Sequence, residues 1–225
     1  MAEHSYRVLP FGVDGSAPTA DLASLHQALL PASPVPLLGR RFMEHFYYSI
    51  LPRQGSIYGA VAYVGDEAAG FIVVSHDGAG FMRRALREHW ARIGWLVGTS
   101  MLVSPRRVTY VWESLQIMRS ASVSPKNAAS GQILSFGVLP RYRQPRFVRE
   151  TKLRIGVDLM QLGMAQLRRR GVREITAAVH RDNLEAQLFY RGLGWKLTRQ
   201  GLPGWRVPAV ELAWHADESS QADVI

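Results

Sequence analysis

The sequence predicts a single α/β domain, spanning residues 1–225, that is built on a sheet of mixed strand directions. Two observations carry this prediction. First, short β-branched or alternating runs are interspersed with segments whose apolar residues recur every three or four positions. Second, a strand–helix–strand–helix order runs from Ile133 to Trp195, as in α/β units. The chain has 225 residues, 47% of them hydrophobic, which is enough to bury one core.

Composition narrows the classes of partner and site. The formal net charge is +9 and the isoelectric point is near 10.3, which suits anionic partners such as cofactor phosphates, sugar nucleotides, nucleic acid or acidic lipid. There are no cysteines, which excludes disulfides, zinc-thiolate sites and a cysteine nucleophile. We expect no metal site. The N-terminus lacks a signal-peptide pattern and no apolar run reaches the roughly 20 residues of a membrane span, so we expect a cytoplasmic protein.

The first half of the chain predicts a strand, two helices and a hairpin. Tyr6 to Phe11 is the first strand, and Thr19 is the expected N-cap of a helix with a leucine stripe. Prolines in PASPVP break the chain before a second helix, whose apolar residues are spaced by four: Leu38, Phe42, Phe46 and Ile50. Residues 57–64 and 69–75 form the hairpin, joined by Gly65-Asp66-Glu67.

An insertion and the core unit follow. Residues 81–118 begin as a helix rich in tryptophan and arginine, and residues 121–131 have the composition of a loop. Two strands at 195–198 and 210–214 complete the sheet, and 216–225 is expected to be a flexible tail.

Three parts of the core unit carry candidate chemistry. Gly137 lies within the strand Ile133 to Val138, where glycine often marks a bulge or a close backbone approach. Arg154-Ile155-Gly156 opens the long helix, at the kind of helix start that binds phosphate. The third part has six residues at fixed spacing, namely Asn183, Ala186, Phe189, Tyr190, Gly194 and Trp195.

In this order and spacing, the three parts resemble the GNAT superfamily of acyl-CoA-dependent N-acyltransferases. The resemblance extends over about Tyr6 to Trp214 and is interrupted by 81–118. It implies a mixed, mostly antiparallel sheet flanked by helices, with a helical insertion between the third and fourth strands. It also implies that the strand ending at Val138 splays from its neighbour to admit the cofactor's pantetheine arm.

The phosphate-binding turn departs from the family pattern. Arg154 stands where the family has a glycine, and residues 144–153 are an apparent insertion of about ten residues. Two explanations are open. Either the loop is longer and uses arginines as phosphate ligands, since their planar fork suits phosphate, or the helix begins near Pro145. The arginines concerned are Arg143, Arg146, Arg149 and Arg154.

The resemblance implies acetyl-CoA, or another acyl-CoA, as the cofactor. The implied cofactor-binding residues are Phe136, Gly137, Val138, Arg143, Arg154, Ile155, Gly156, Asn183 and Tyr190. The backbone N–H of Val138 would stabilise the oxyanion, and Tyr190 would donate a hydrogen bond to the departing thiolate. Candidates for the base that deprotonates the amine are Glu113, His76 and His180.

The implied activity is transfer of an acyl group to a small-molecule amine, with an anionic acceptor such as an amino sugar nucleotide favoured by the charge. The insertion is expected to be a lid over the acceptor groove. Rival interpretations are a homodimer interface, or contact of residues 81–107 with an acidic membrane surface. The alternative function is a non-catalytic CoA-binding or sensory module on the same fold. No nucleic-acid partner is expected, because no helix-turn-helix, zinc or RNA-binding signature is present.

Overall fold

The computed structural model describes residues 5–77, 80, 84, 87–91, 93–95, 130–202 and 208–216. Within these residues one seven-stranded sheet has the spatial order β1-β2-β3-β4-β5-β7-β6. The strands are β1 (Tyr6–Phe11), β2 (Tyr58–Val64), β3 (Glu67–Ser75), β4 (Ser130–Val138), β5 (Glu174–His180), β6 (Lys196–Gln200) and β7 (Ala209–His215). Among the described strands, only β4 and β5 are parallel neighbours, so the predicted mixed, mostly antiparallel sheet is confirmed.

Helices cover both faces of the sheet. They are α1 (Thr19–Leu29), α2 (Pro34–Leu37), α3 (Arg40–Phe42), α4 (Ile50–Arg53), α5 (Pro145–Thr151), α6 (Ile155–Arg168) and α7 (Leu184–Gly192). A π-helical turn, Met43–Tyr47, lies between α3 and α4, and a 3-10 turn, Pro140–Arg143, follows β4. The order of the strands and of α1, α6 and α7 agrees with the order that the sequence predicts.

The core has two parts, one on each face of the sheet. On one face, α1 and the segment around the π-helical turn pack against Val61, Phe71 and Val73. On the other face, α6 packs against alternate residues of the same strands, including Ile72 and Val74. Every residue of β2 is buried because both of its faces are covered.

The segment after α1 differs from the prediction. Thr19 is the first residue of α1 rather than its N-cap, a position that Pro18 occupies. The expected second helix is not continuous. Gly39 adopts a positive φ of 99°, which separates α2 from α3, and the π-helical turn then interrupts the regular helical spacing. The apolar residues at that spacing still reach the core, since Leu38, Phe42 and Phe46 are all buried.

β4 begins earlier than predicted, and part of the chain lies outside the described residues. β4 starts at Ser130, so the predicted loop 121–131 is wrong at its end. Between β3 and β4, the described residues at 84, 87, 88, 90, 91 and 93–95 are helical, in agreement with the predicted insertion. The rest of 81–118, with Glu113, and the tail 217–225 lie outside the described residues. The lid, the homodimer and the membrane contact stay predictions. None of the described helices combines the length and apolarity needed to cross a bilayer.

Candidate functional site

A β-bulge divides β4 into two halves. The first half pairs with both β3 and β5, and the second, the splayed half, pairs with β3 but not with β5. Val73 of β3 pairs with Ser135 and Val74 pairs with Ile133, which leaves Leu134 without a partner. Such an extra residue bends its strand and increases the local twist. On the other side of β4, pairing with β5 ends at Ile133 and Ala177. The second half of β4 therefore diverges from β5 and leaves a gap between two parallel strands.

Backbone amides of the splayed half point into this gap. The N–H of Leu139 donates to the carbonyl of Ala69 at 2.8 Å, so this position faces β3. In antiparallel pairs, successive residues direct their polar backbone groups to alternate sides of the strand. The N–H groups of Val138 and Phe136 therefore face away from β3. They face the side on which β5 no longer pairs.

A cavity of about 560 Å³ opens at the same place. Its volume lies in the usual range of ligand sites, about 300–1,000 Å³. The lining residues come from the end of α1, the splayed half of β4, the turn after it, α5, the start of α6 and the start of α7. Those among the predicted cofactor-binding residues are Phe136, Gly137, Val138, Arg143, Arg154, Ile155, Gly156 and Asn183.

The N-terminus of α6 supplies one wall of the cavity. Arg154, Ile155 and Gly156 line the cavity together with Val157. The first N–H groups of a helix have no intrahelical acceptor, and the helix dipole makes this end positive. The wall is therefore suited to an anion. Neither sequence-based explanation of the turn is sufficient alone, because a short helix, α5, begins at Pro145 and a separate helix begins at Ile155.

The arginines divide into two groups by position. Arg143 and Arg154 line the cavity, whereas Arg146 and Arg149 are not among the described lining residues. Arg146 instead forms an ion pair along α5 with Glu150 at 2.8 Å. Arg143 forms an ion pair at 2.6 Å with Glu185, which belongs to the first turn of α7 and also lines the cavity. Two of the four candidate arginines thus line the cavity, and two do not.

Tyr190 contacts the cavity wall from behind. Phe136 and Phe189, which line the cavity, stack with ring centroids 5.3 Å apart. Tyr190 packs edge-on against both rings and against Trp195, and is not among the described lining residues. Burial raises the pKa of the Tyr190 phenol, so this group stays protonated.

The other polar candidates lie at different ends of the sheet. Asn183 caps α7 as predicted, since its Oδ1 accepts a hydrogen bond from the Ala186 N–H at 3.0 Å. His180 ends β5 at the edge where β4 ends, and is not among the described lining residues. His76 follows β3 near the start of β4, roughly 17 Å along the strand from Val138 at the end of β4. Its ring lies within hydrogen-bonding distance of the Tyr58 hydroxyl. His76 therefore lies away from this cavity, and the identity of the base stays a prediction.

Comparison with solved structures identifies the fold. One chain of the NatC complex bound to Gag peptide and CoA is 14% identical, with a TM-score of 0.54 over 95% of this chain and 99% of that chain. Arabidopsis thaliana NAA60 in complex with acetyl-CoA is 12% identical, with a TM-score of 0.53 over 94% and 98%. An acetyltransferase of the GNAT family from Desulfovibrio desulfuricans is 10% identical, with a TM-score of 0.54 over 94% and 99%.

This chain has the GNAT fold. No family model and no curated protein matches the sequence. The resemblance seen in the three motifs is thus confirmed by the solved structures, at the level of the fold.

Two positions at which the GNAT pattern or this sequence has glycine are Arg154 and Gly137, and they differ in what they require of the backbone. Arg154, which replaces a glycine, has φ −114°, a conformation open to any residue, so the substitution causes no backbone strain. Gly137 is not the bulged residue of β4. A Cβ at Gly137 would lie 3.0 Å from the Leu29 side chain, so this glycine instead permits α1 to approach the splayed strand closely.

Several lining residues of the GNAT-fold cavity were not predicted from the sequence. Glu185 lies between two motif residues at a position that the pattern leaves free. Apolar side chains complete the wall, including Leu29 and Leu30 at the end of α1 and Val148 of α5. Leu29 belongs to the leucine stripe of α1, and that stripe gave no indication that its last member faces a cavity.

Proposed function

We propose that this chain binds an acyl-CoA in the cavity and transfers the acyl group to an amine. The observation that carries the proposal is the gap between β4 and β5, which opens onto the N-terminus of α6. GNAT-fold structures in complex with CoA or acetyl-CoA support the choice of ligand.

The residues present fit the two chemical parts of such a ligand. Arg143, Arg154 and the first amides of α6 offer charged and neutral donors to phosphates. Leu29, Leu30 and other apolar side chains of the wall suit an uncharged arm, and the backbone amides facing the gap offer it hydrogen bonds. The guanidinium of Arg154 would thus compensate for the glycine that the family pattern has at this position.

The chemistry requires stabilisation of one oxygen and one sulfur. Acyl-CoA would supply a thioester, whose carbonyl carbon forms a bond to the amine nitrogen while its C–S bond breaks and the sulfur gains the proton that the nitrogen loses. The Val138 N–H, directed into the gap, would donate to the acyl oxygen as negative charge develops there. A fixed donor of this kind costs no reorganisation during the reaction.

Tyr190 lies behind the rings of Phe136 and Phe189, so it would have to reach past them to the departing sulfur, and it would donate a hydrogen bond there rather than its proton. An ordinary phenol, with a pKa near 10, is already a weaker acid than a thiol near 8.5, and burial weakens the phenol of Tyr190 further. Another group would then take the amine proton, and the sulfur would regain a proton from that group or from solvent. His180 is the described base candidate on the correct edge of the sheet.

The acceptor is proposed to be a weakly basic amine. An amine with a pKa near 8 is partly uncharged at neutral pH, whereas a lysine-like amine near 10.4 depends on a strong base. The net charge of +9 favours an anionic small molecule such as an amino sugar nucleotide. The peptide α-amine is a second member of the same class. It is suggested by the Gag peptide of the NatC structure and by the bisubstrate analogue CoA-Ac-MVNAL of Arabidopsis thaliana Naa50, which has a TM-score of 0.51 at 16% identity.

A non-catalytic CoA-binding module is the second candidate, and the position of Tyr190 behind the cavity wall favours it. Isothermal titration with acetyl-CoA tests binding, and release of free thiol over a panel of amino sugar nucleotides, small amines and peptides tests turnover. Binding with turnover supports the acyltransferase. Binding without turnover on any amine supports the module, and no binding overturns both.

A further inference from the structure

A carboxylate occupies the wall of a cavity that is otherwise suited to anions. Glu185 lines this cavity together with Arg143, Arg154 and the N-terminus of α6. Its position in the first turn of α7 is favourable for that helix, because the dipole is positive there. Toward a phosphate in the same cavity, however, the carboxylate is repulsive.

The carboxylate of Glu185 already holds one of the two cationic groups that a phosphate would use. Glu185 Oε1 lies 2.6 Å from Arg143 Nη1, and the pair joins the turn after β4 to the start of α7. The side chains are 46% exposed for Arg143 and 68% exposed for Glu185. Ion pairs in such exposed positions are weak, and a ligand phosphate of higher charge can displace the carboxylate.

We propose that Glu185 sets the affinity of the cavity by competing with the ligand's phosphate for Arg143. Binding would exchange a carboxylate for a phosphate on the same guanidinium, and Glu185 would recapture Arg143 as the product leaves. The inference rests on the proposed function, because it requires a phosphate-bearing acyl donor in this cavity. It makes Glu185 a residue that weakens binding of the donor and of the CoA product alike.

The decisive measurement is the Kd of CoA for Glu185→Gln, determined by isothermal titration beside the wild type. Removal of an exposed competing carboxylate is expected to tighten CoA binding about two- to fivefold. Pantetheine, which has the thiol arm without phosphates, is expected to bind both proteins equally. Thermal unfolding checks that the variant is folded, and Glu185→Ala provides a second variant with the same prediction.

Two controls separate competition from a general change of charge. Glu150→Gln removes the same charge from the exposed pair with Arg146 on α5, at a position outside the described cavity wall. We expect it to leave the Kd of CoA unchanged. In an Arg143→Gln background, Glu185→Gln is expected to have no effect, because the group for which the carboxylate competes is absent.

Each other result overturns the inference. Weaker CoA binding by Glu185→Gln would mean that Glu185 orients Arg143 for the ligand instead of competing with it. An unchanged Kd, or a gain that persists without Arg143, would also exclude competition. These outcomes leave the proposed function intact. Failure of CoA to bind either the wild type or Glu185→Gln would overturn both the proposed function and this inference.

Discussion

Ile133 and Ala177 form the last backbone pair between β4 and β5, and the bulged residue Leu134 follows at once. The two facts have one physical cause. An extra residue on the β3 side of β4 changes the direction and twist of the strand, so the parallel ladder on the other side cannot continue. The gap that results is a consequence of strand register, and it leaves the amides of Phe136 and Val138 available to a ligand.

The division of the arginines predicts which of them bind phosphate. Arg154→Gln is expected to weaken CoA binding about tenfold, because it removes a charged donor at the start of α6. The loss should decrease as salt is raised, since part of the attraction is screened. Isothermal titration at two ionic strengths measures both effects.

Arg149→Gln is the matched control, because Arg149 is exposed on α5 and outside the described cavity wall. Its Kd for CoA is expected to equal that of the wild type. Equal losses for the two variants would show that the arginines act through overall charge and would contradict the assignment of Arg154.

Gly156 allows a test of the cavity by side-chain size. A Cβ at this position would meet Phe189 at 3.4 Å and Phe136 at 3.5 Å, which are ordinary contacts, so Gly156→Ala should fold with little change in Tm. A longer side chain must extend into the cavity. Gly156→Leu is therefore expected to weaken CoA binding at least tenfold relative to the alanine variant, measured by titration. Equal affinities for the two variants would place the ligand elsewhere.

Tyr190→Phe tests the proposed role of the buried phenol. Loss of a hydrogen bond to the departing sulfur is expected to lower kcat roughly tenfold or more, with little change in the Kd of acetyl-CoA. Because burial raises the pKa of Tyr190, its titration should not appear in the pH–rate profile between about pH 7 and 10. Thiol release and titration supply the two constants.

Tyr63→Phe is the control for this substitution. It removes another phenolic hydroxyl, the one that donates to Asp21 at 2.6 Å on the α1 side of the sheet. We expect its kcat to match the wild type. An unchanged kcat in Tyr190→Phe would remove Tyr190 from the chemistry and favour the non-catalytic module.

The features that were predictable from the sequence are local, and those that were missed depend on contacts between distant segments. The Asn183 cap follows from a short spacing, and β2 and β3 follow from runs of β-branched and aromatic residues. The bulge at Leu134 depends on register against β3, so the nearby Gly137 was a misleading signal. The ion pair between Arg143 and Glu185 is likewise formed only by the tertiary fold. The burial of Tyr190 has the same origin.

The sequence did not indicate that His26 of α1 is fully buried. Its Nδ1 lies 2.6 Å from the Tyr48 hydroxyl, and its Nε2 lies 3.0 Å from Ser33 Oγ. Ser135, the residue after the bulge, lies 3.4 Å from the same Nε2. The imidazole thus connects α1, the start of α2, the segment after the π-helical turn and the splayed strand.

His26 makes stability dependent on pH with a defined sign. Burial lowers the pKa of His26 from 6.5 to about 3, so below pH 6.5 the unfolded chain binds a proton that the folded chain does not. The free energy of unfolding should therefore fall by up to about 1.4 kcal/mol per pH unit between 6.5 and about 3. His26→Gln should be less stable at pH 7 and lack this contribution, whereas the exposed His215→Gln should retain it. Urea unfolding at pH 7, 6 and 5 measures the difference between variants. Parallel pH profiles for the wild type and His26→Gln would contradict the prediction, because the carboxylate background is common to both.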